Sequence, residues 1–241
     1  MTYYRDDLAL IHHLGFGFHA DRCAPGILRL LEPVRARQGV VVELGCGSGL
    51  LTRFLVDAGH RVIATDASPA MLDLARQYVP EAEISRLSLP DDPIPDADAI
   101  VSVGHVLSYL PDEAALVRAF IASAEAVRPG GLLAFDICDL EWGRAREDAQ
   151  PVGFVSDDWA LITEYSMPTP ARFVRQMAIF VRNPDGSWRR DDERHENVLF
   201  DTSTIASLLA EHGLEATVGS SFGGEELPVG LRTVVGYRRK S

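Results

Sequence analysis

The spacing of apolar and polar positions divides the chain into three regimes. Over residues 1–38, Leu8, Ile11 and His12, then Ile27, Leu28, Leu30 and Leu31, recur at near-helical intervals, interrupted by Gly15-Phe16-Gly17 and by Pro25-Gly26. Gly39-Val40-Val41-Val42-Glu43-Leu44 is then almost wholly apolar, as a strand covered on both faces must be. A glycine-rich turn leads into a helix over about 50–58, and 61–66 is the next strand. Ser68 before Pro69 has the form of an N-cap followed by proline at the first helical position, which predicts a helix to about Tyr78. A short strand near 82–86, a strand at 99–103, a helix opened by Asp112 and Glu113 and running through Val127, and a strand at 132–137 complete five alternations. Arg128-Pro129-Gly130-Gly131 separates the last two. Such alternation predicts an α/β fold: a mostly parallel sheet with helices on both faces.

The period changes at about Cys138. Residues 159–166, 172–182 and 188–199 are β-prone runs with no helical segment between them, and Asn183-Pro184-Asp185-Gly186 joins the last two as a hairpin turn. They predict an antiparallel β hairpin add-on. Residues 202–212 read as a helix stopped by Gly213, and 214–219 and 233–237 as strands that bring the main sheet to seven.

The end of the first buried strand carries the chemistry: Glu43-Leu44-Gly45-Cys46-Gly47-Ser48-Gly49. Ligands of open α/β sheets bind beyond the carboxyl ends of the strands. Glycine there lets the backbone turn tightly and approach a ligand with no Cβ between them. A dinucleotide fingerprint would need glycine at position 50, where this chain has Leu50. Asp66 closes the second strand 23 residues after Glu43. At that distance a carboxylate reaches both hydroxyls of a ribose, and before Ser68-Pro69 it equally suits a helix cap.

The acidic-x-Gly-x-Gly-x-Gly run resembles the first motif of the class I S-adenosylmethionine (SAM)-dependent methyltransferases. Asp98-Ala99-Ile100-Val101-Ser102-Val103-Gly104-His105-Val106-Leu107-Ser108-Tyr109-Leu110 is similar to the family's fourth motif, and Arg128-Pro129-Gly130-Gly131 is also typical. The resemblance covers residues 39–137. It implies a Rossmann-like, mostly parallel seven-stranded sheet in one methyltransferase domain. Residues 1–38 would be a helical lid, 39–137 the SAM-binding core, 138–200 an antiparallel insertion on the substrate side, and 201–241 the helix and strands that complete the sheet. Glu43, Gly45, Cys46, Gly47 and Gly49 would surround the amino-acid portion of SAM, whose cationic amino and sulfonium groups favour a nearby carboxylate. Asp66 would hold the ribose, Ala67 and Met71 the adenine edge, and Gly104 the methionine part. The third motif departs from the family pattern, and Ser88 and Leu89 fall at the adenine. Tyr4 to Phe18 resembles the leading helix that closes over SAM, which makes Tyr4 and His12 substrate-side candidates. A helix in which His12 merely packs fits equally well.

Methyl transfer is an in-line displacement, and alignment supplies much of its rate. A neutral amine attacks unaided, whereas a hydroxyl profits from a general base. His12, His105, Tyr109, Glu164 and His195 are the candidates, with Glu164 and Tyr109 also on the substrate side. His105 is the catalytic choice because its motif sets it beside the methyl. A bond to neighbouring backbone that shapes the loop is its other possible role.

Composition narrows the acceptor. The chain has 241 residues, 23 of them basic and 35 acidic, for a formal net charge of −12. A phosphate backbone is repelled by that balance, so a small-molecule acceptor is expected and no nucleic acid, with a protein substrate left open. No run reaches the ~18 apolar residues of a membrane span, and the acidic, aromatic start does not resemble a signal peptide. Cys23, Cys46 and Cys138 form no CxxC or Cys/His cluster, from which no metal and a reducing, cytoplasmic compartment are expected. An NAD(P)-dependent oxidoreductase is the first alternative. It lacks support from a Tyr-x-x-x-Lys pair, since Lys240 is the sole lysine. A non-catalytic SAM-binding module is the second, and formation of S-adenosylhomocysteine separates it from an enzyme.

Overall fold

The computed structural model describes residues 3–240. Two helices, α1 (Asp6–Gly15) and α2 (Phe18–Ala36), precede the sheet. The break between them falls at the predicted Gly15-Phe16-Gly17, but α2 runs unbroken through Pro25 and Gly26. Proline costs the helix a backbone bond, and burial offsets it: Cys23, Ala24, Ile27 and Leu31 are all in the core. A Cβ at Gly26 would lie 2.8 Å from Cβ of Phe222, so this glycine answers helix-to-loop packing and breaks nothing.

The alternating region gives β1 (Val40–Leu44), α3 (Leu50–Asp57), β2 (Arg61–Asp66), α4 (Pro69–Tyr78), β3 (Glu83–Arg86), β4 (Ala97–Ser102), α5 (Glu113–Ala126) and β5 (Val127–Cys138). Ser68 caps α4 as predicted, its hydroxyl accepting from the Met71 N–H. α5 stops before Val127, and Arg128-Pro129-Gly130-Gly131 lies within β5, where the pairing to β4 slips register between Ala97 and Ala99. The chain continues through α6 (Leu140–Arg144), β6 (Val152–Val155), β7 (Trp159–Thr169), β8 (Arg172–Arg182), β9 (Trp188–Val198), α7 (Ile205–Glu211), β10 (Leu214–Gly219) and β11 (Leu231–Arg238).

The seven-stranded sheet has the order β3-β2-β1-β4-β5-β11-β10, parallel except at β11. Successive strand residues serve opposite faces: Val41 packs with α2, α3 and α4, while Val42 packs with α5 and α7. The order reverses between β1 and β4, which opens a crevice at their carboxyl ends. The add-on is a separate antiparallel sheet, β6-β7-β8-β9, one strand larger than predicted. β6 escapes the sequence because its four residues are all exposed and include Gly153, so no apolar alternation marks it. Leu161, Met177, Ile179 and Val181 of this sheet close on Leu8 and Ile11 of α1, and Phe173 closes on Cys138, Leu199 and Leu231. The second sheet is thereby seated over the crevice. No helix of the described residues is long and apolar enough to cross a membrane.

Candidate active site

A cavity of about 500 Å3 occupies the crevice. Its floor is the turn after β1, where Gly45, Gly47 and Gly49 have φ of +69°, +55° and +86°. All three need glycine, for different reasons. A Cβ at Gly45 would collide with Val106, and one at Gly49 would sit 3.0 Å from Val79 and 3.5 Å from the Ala75 backbone. Those two permit packing of the turn on its neighbours, which differs from the expectation that each approaches a ligand. At Gly47 nothing is nearer than the Met71 Sδ at 3.9 Å, and at Gly104 (φ +99°) nothing lies within 4 Å. Gly47 and Gly104 are therefore the glycines that open toward the cavity.

Two acids stand beside this floor. Glu43 is 3 % exposed, and Thr52 donates to its Oε2 at 2.7 Å. Burial lifts its pKa to about 7, with Asp66 adding to the rise against the Thr52 bond. Asp66 accepts from the Gly47 N–H at 2.9 Å on Oδ2 and from the Ser68 N–H at 2.8 Å on Oδ1, so it pins the turn and starts α4 together. Burial raises its pKa as well, against these backbone bonds. The folded pKa of Glu43 exceeds the ~4.3 of an unfolded glutamate, so its contribution to stability is complete below that value and lost as pH rises through about 7. Glu43→Gln keeps the acceptor for Thr52 and should flatten this slope. Denaturant unfolding of the ligand-free chain at about pH 5 and about pH 8 measures it. An identical pH dependence in the variant would mean that Glu43 does not titrate there.

Of the residues singled out in the sequence, Tyr4, His12, Glu43, Gly45, Cys46 and Gly47 line the cavity. So do Asp66, Ala67, Met71, Ser88, Leu89, Gly104 and Tyr109. Three do not. Gly49 lies behind the turn. Glu164 is exposed on β7, opposite Gln176. His105, with φ +49°, turns its ring away from the cavity, stacked on Tyr109 at 5.8 Å and tilted to Trp142 at 5.5 Å. Burial, then the charge of Arg175, depress its pKa to about 3. His12 is likewise depressed by burial and Arg175, to about 4.

The sequence reading missed His19 and Asp136. His19 lines the cavity from the first turn of α2, and its Nε2 lies 2.7 Å from Oδ2 of Asp136. Asp136 is wholly buried and also accepts from the N–H groups of Gly104 (3.1 Å) and His105 (2.6 Å), which holds the loop after β4 in its left-handed conformation. Burial pushes its pKa up, but the His19 and His105 partners hold it below the usual carboxylate range. A signal was present: a lone acid in the apolar run 132–137 is costly unless it has partners. One donor atom each of His19, Cys23 and Asp136 lie within 4.8 Å of one another. Burial and Asp136 both raise the Cys23 thiol, which opposes thiolate ligation.

The sequence model of a methyltransferase domain matches residues 41–131. A putative methyltransferase of Geobacillus sp. is 27% identical over 192 residues, 73% of this chain and 75% of that protein. A ubiquinone biosynthesis O-methyltransferase of Methylocella silvestris is 34% identical over 136 residues, 54% of this chain and 48% of its own length, so the match spans about half of that relative. Among solved structures, a sugar N-methyltransferase from Streptoalloteichus sp. superposes with a TM-score of 0.80 at 19% identity, covering 100% of this chain and 96% of the other. A methyltransferase domain thus spans the glycine turn and the loop after β4, relatives named as methyltransferases share it, and the chain has the fold of the SAM-dependent methyltransferases.

Proposed function

We propose that this protein transfers a methyl group from SAM to a nitrogen or oxygen of a small-molecule acceptor, which enters between the loop after β4 and the four-stranded sheet. The observation that carries the SAM site is the open Cβ direction at Gly47, beside two buried carboxylates in a cavity large enough for a nucleoside with an amino-acid tail. When bound, SAM supplies an electrophilic methyl on a sulfonium. Asp66 has lone pairs left for ribose hydroxyls, Ala67, Met71, Ser88 and Leu89 wall the adenine, and Gly47 and Gly104 admit the methionine part, with Glu43, half ionised near pH 7, lending partial negative charge. Residues 1–38 act as the lid, 39–137 as the SAM core, 138–200 as the acceptor wall and 201–241 as the completion of the sheet. His13 ties the lid to the floor through a 2.9 Å contact of its Nδ1 with the Ser48 hydroxyl. Three buried free thiols suit a reducing, cytoplasmic setting.

Two alanine variants test the SAM site. Gly47→Ala meets only Met71, at an ordinary contact distance of 3.9 Å, and costs chiefly the left-handed backbone, about 1–2 kcal/mol. It should stay folded and lose at least tenfold in SAM affinity by calorimetry, about 1.4 kcal/mol or more. Gly45→Ala must displace Val106 and should instead lower the melting temperature. Unchanged SAM affinity in a folded Gly47→Ala protein would remove the turn from the site.

A further inference from the structure

Behind the cavity wall the structure gathers polar atoms that have no protein partner. β9 turns Glu193, His195 and Asn197 inward, at 3 %, 1 % and 0 % exposure. In register across β8 stand Met177, Arg175 and Phe173. Both amide atoms of Asn197 are buried and unpartnered, as are Nδ1 of His195 and Nε of Arg175. The opposite wall adds Nδ1 of His105 and the indole N–H of Trp142. Aromatic contacts link these groups in one run: Tyr109 meets His195 at 5.5 Å and His105 at 5.8 Å, His105 meets Trp142 at 5.5 Å, and Trp142 meets Phe173 at 6.3 Å. A buried polar group left unsatisfied costs about 1–3 kcal/mol, and folded proteins carry few of them. Five residues with such atoms along one run, beside the SAM cavity, call for a partner that the protein itself does not supply.

Charge defines the ligand further. Among the described residues Arg175 forms no ion pair, and its side-chain bond goes to the Tyr109 hydroxyl. The nearest acid on its face, Glu193, is already engaged by His195 and by the N–H groups of Tyr4 and Arg5. Arg172 and Arg194 both pair with Glu196. The guanidinium thus stands unneutralised amid uncharged donors and acceptors. We propose that this polar cluster is the acceptor site and that the acceptor carries an oxyanion, carboxylate or phosphate, which pairs with Arg175 while Asn197 and Trp142 hydrogen-bond the rest of the molecule. The assignment rests on the methyltransferase reading above. Tyr3, Tyr4 and Tyr109 line the SAM cavity and also lie on His195, at 4.7, 4.8 and 5.5 Å, so the polar cluster adjoins the cavity along these three rings.

Minimal oxyanions test this without knowledge of the acceptor. Thermal unfolding of the full chain with SAM present is compared in sodium acetate, in sodium phosphate and in sodium chloride of equal ionic strength. At tenfold excess over the dissociation constant, the matching anion should raise the melting temperature by roughly 3–5 °C over chloride. Arg175→Met should abolish that rise, and its retained SAM affinity in calorimetry shows that it is folded. Asn197→Leu should raise the melting temperature of the anion-free protein, because it removes an unpaired buried amide. A response to acetate alone assigns a carboxylate, and to phosphate alone a phosphate. No rise over chloride, or an equal rise in Arg175→Met, overturns the proposal. Absence of SAM binding to the wild type would instead sink the underlying reading, and that titration is separate.

Discussion

Asp66→Ala is expected to weaken SAM binding by roughly two to four orders of magnitude, the loss of two hydrogen bonds to a charged acceptor at about 1.5–3 kcal/mol each. A carboxylate has about four lone-pair sites. In Asp66 one on each oxygen is taken, by Gly47 and by Ser68, which leaves one on each for the cavity that the residue lines. Two free acceptors on neighbouring atoms match the adjacent hydroxyls of a ribose. The same substitution frees the Gly47 N–H and loosens the turn, so part of the loss comes from a floor that is no longer pinned. Asp66→Asn separates the two contributions: its amide oxygen keeps one acceptor, but its NH2 opposes an N–H donor. Calorimetry should rank wild type above Asn above Ala. Affinity within threefold of wild type for Asp66→Ala would reduce Asp66 to its capping role at Ser68.

What could be read from the sequence was local. The five alternations, the N-cap at Ser68 and the hairpin turn at 183–186 depend on residues a few positions apart, and all three stand in the structure. Pro25-Gly26 was misjudged because the penalty for proline is local, whereas the compensating burial against Phe222 comes from almost two hundred residues away. Within the glycine turn, spacing located the motif but could not sort its glycines. Only the positions of Val106, Ala75 and Val79 show that Gly45 and Gly49 serve packing and Gly47 faces the cavity. The polar cluster is less legible still. On β9, Glu193, His195 and Asn197 alternate with Arg194 and Glu196, so both faces look hydrophilic and the buried one does not announce itself. His105 was placed by its motif correctly along the chain, but its left-handed φ rotates the ring from the SAM side to the Trp142 side.

That rotation changes what His105→Asn should do. Asn, like His, is among the side chains that tolerate a left-handed backbone, so the loop held by Asp136 should survive the exchange. The ring lies beside Trp142 with Nδ1 buried and unpartnered, on the side of the proposed acceptor. If it takes that proton, kcat with a hydroxyl acceptor should fall about 10²–10⁴-fold in the variant while SAM affinity is preserved. The pH signature differs from that of an ordinary histidine, which titrates near ~6.5. With its pKa held at about 3 by burial and Arg175, the imidazole stays neutral and competent through the whole mildly acidic range. The acid limb of kcat/KM assigned to His105 should therefore lie near pH 3 and be absent around ~6.5. An oxyanion paired with Arg175 would offset the charge that depresses His105, so the limb in kcat should lie higher than the limb in kcat/KM. With an amine acceptor, whose lone pair attacks directly, His105→Asn should leave kcat within a few-fold of wild type. A hydroxyl acceptor turned over by the variant at the wild-type rate would place the proton elsewhere and leave His105 as a loop residue.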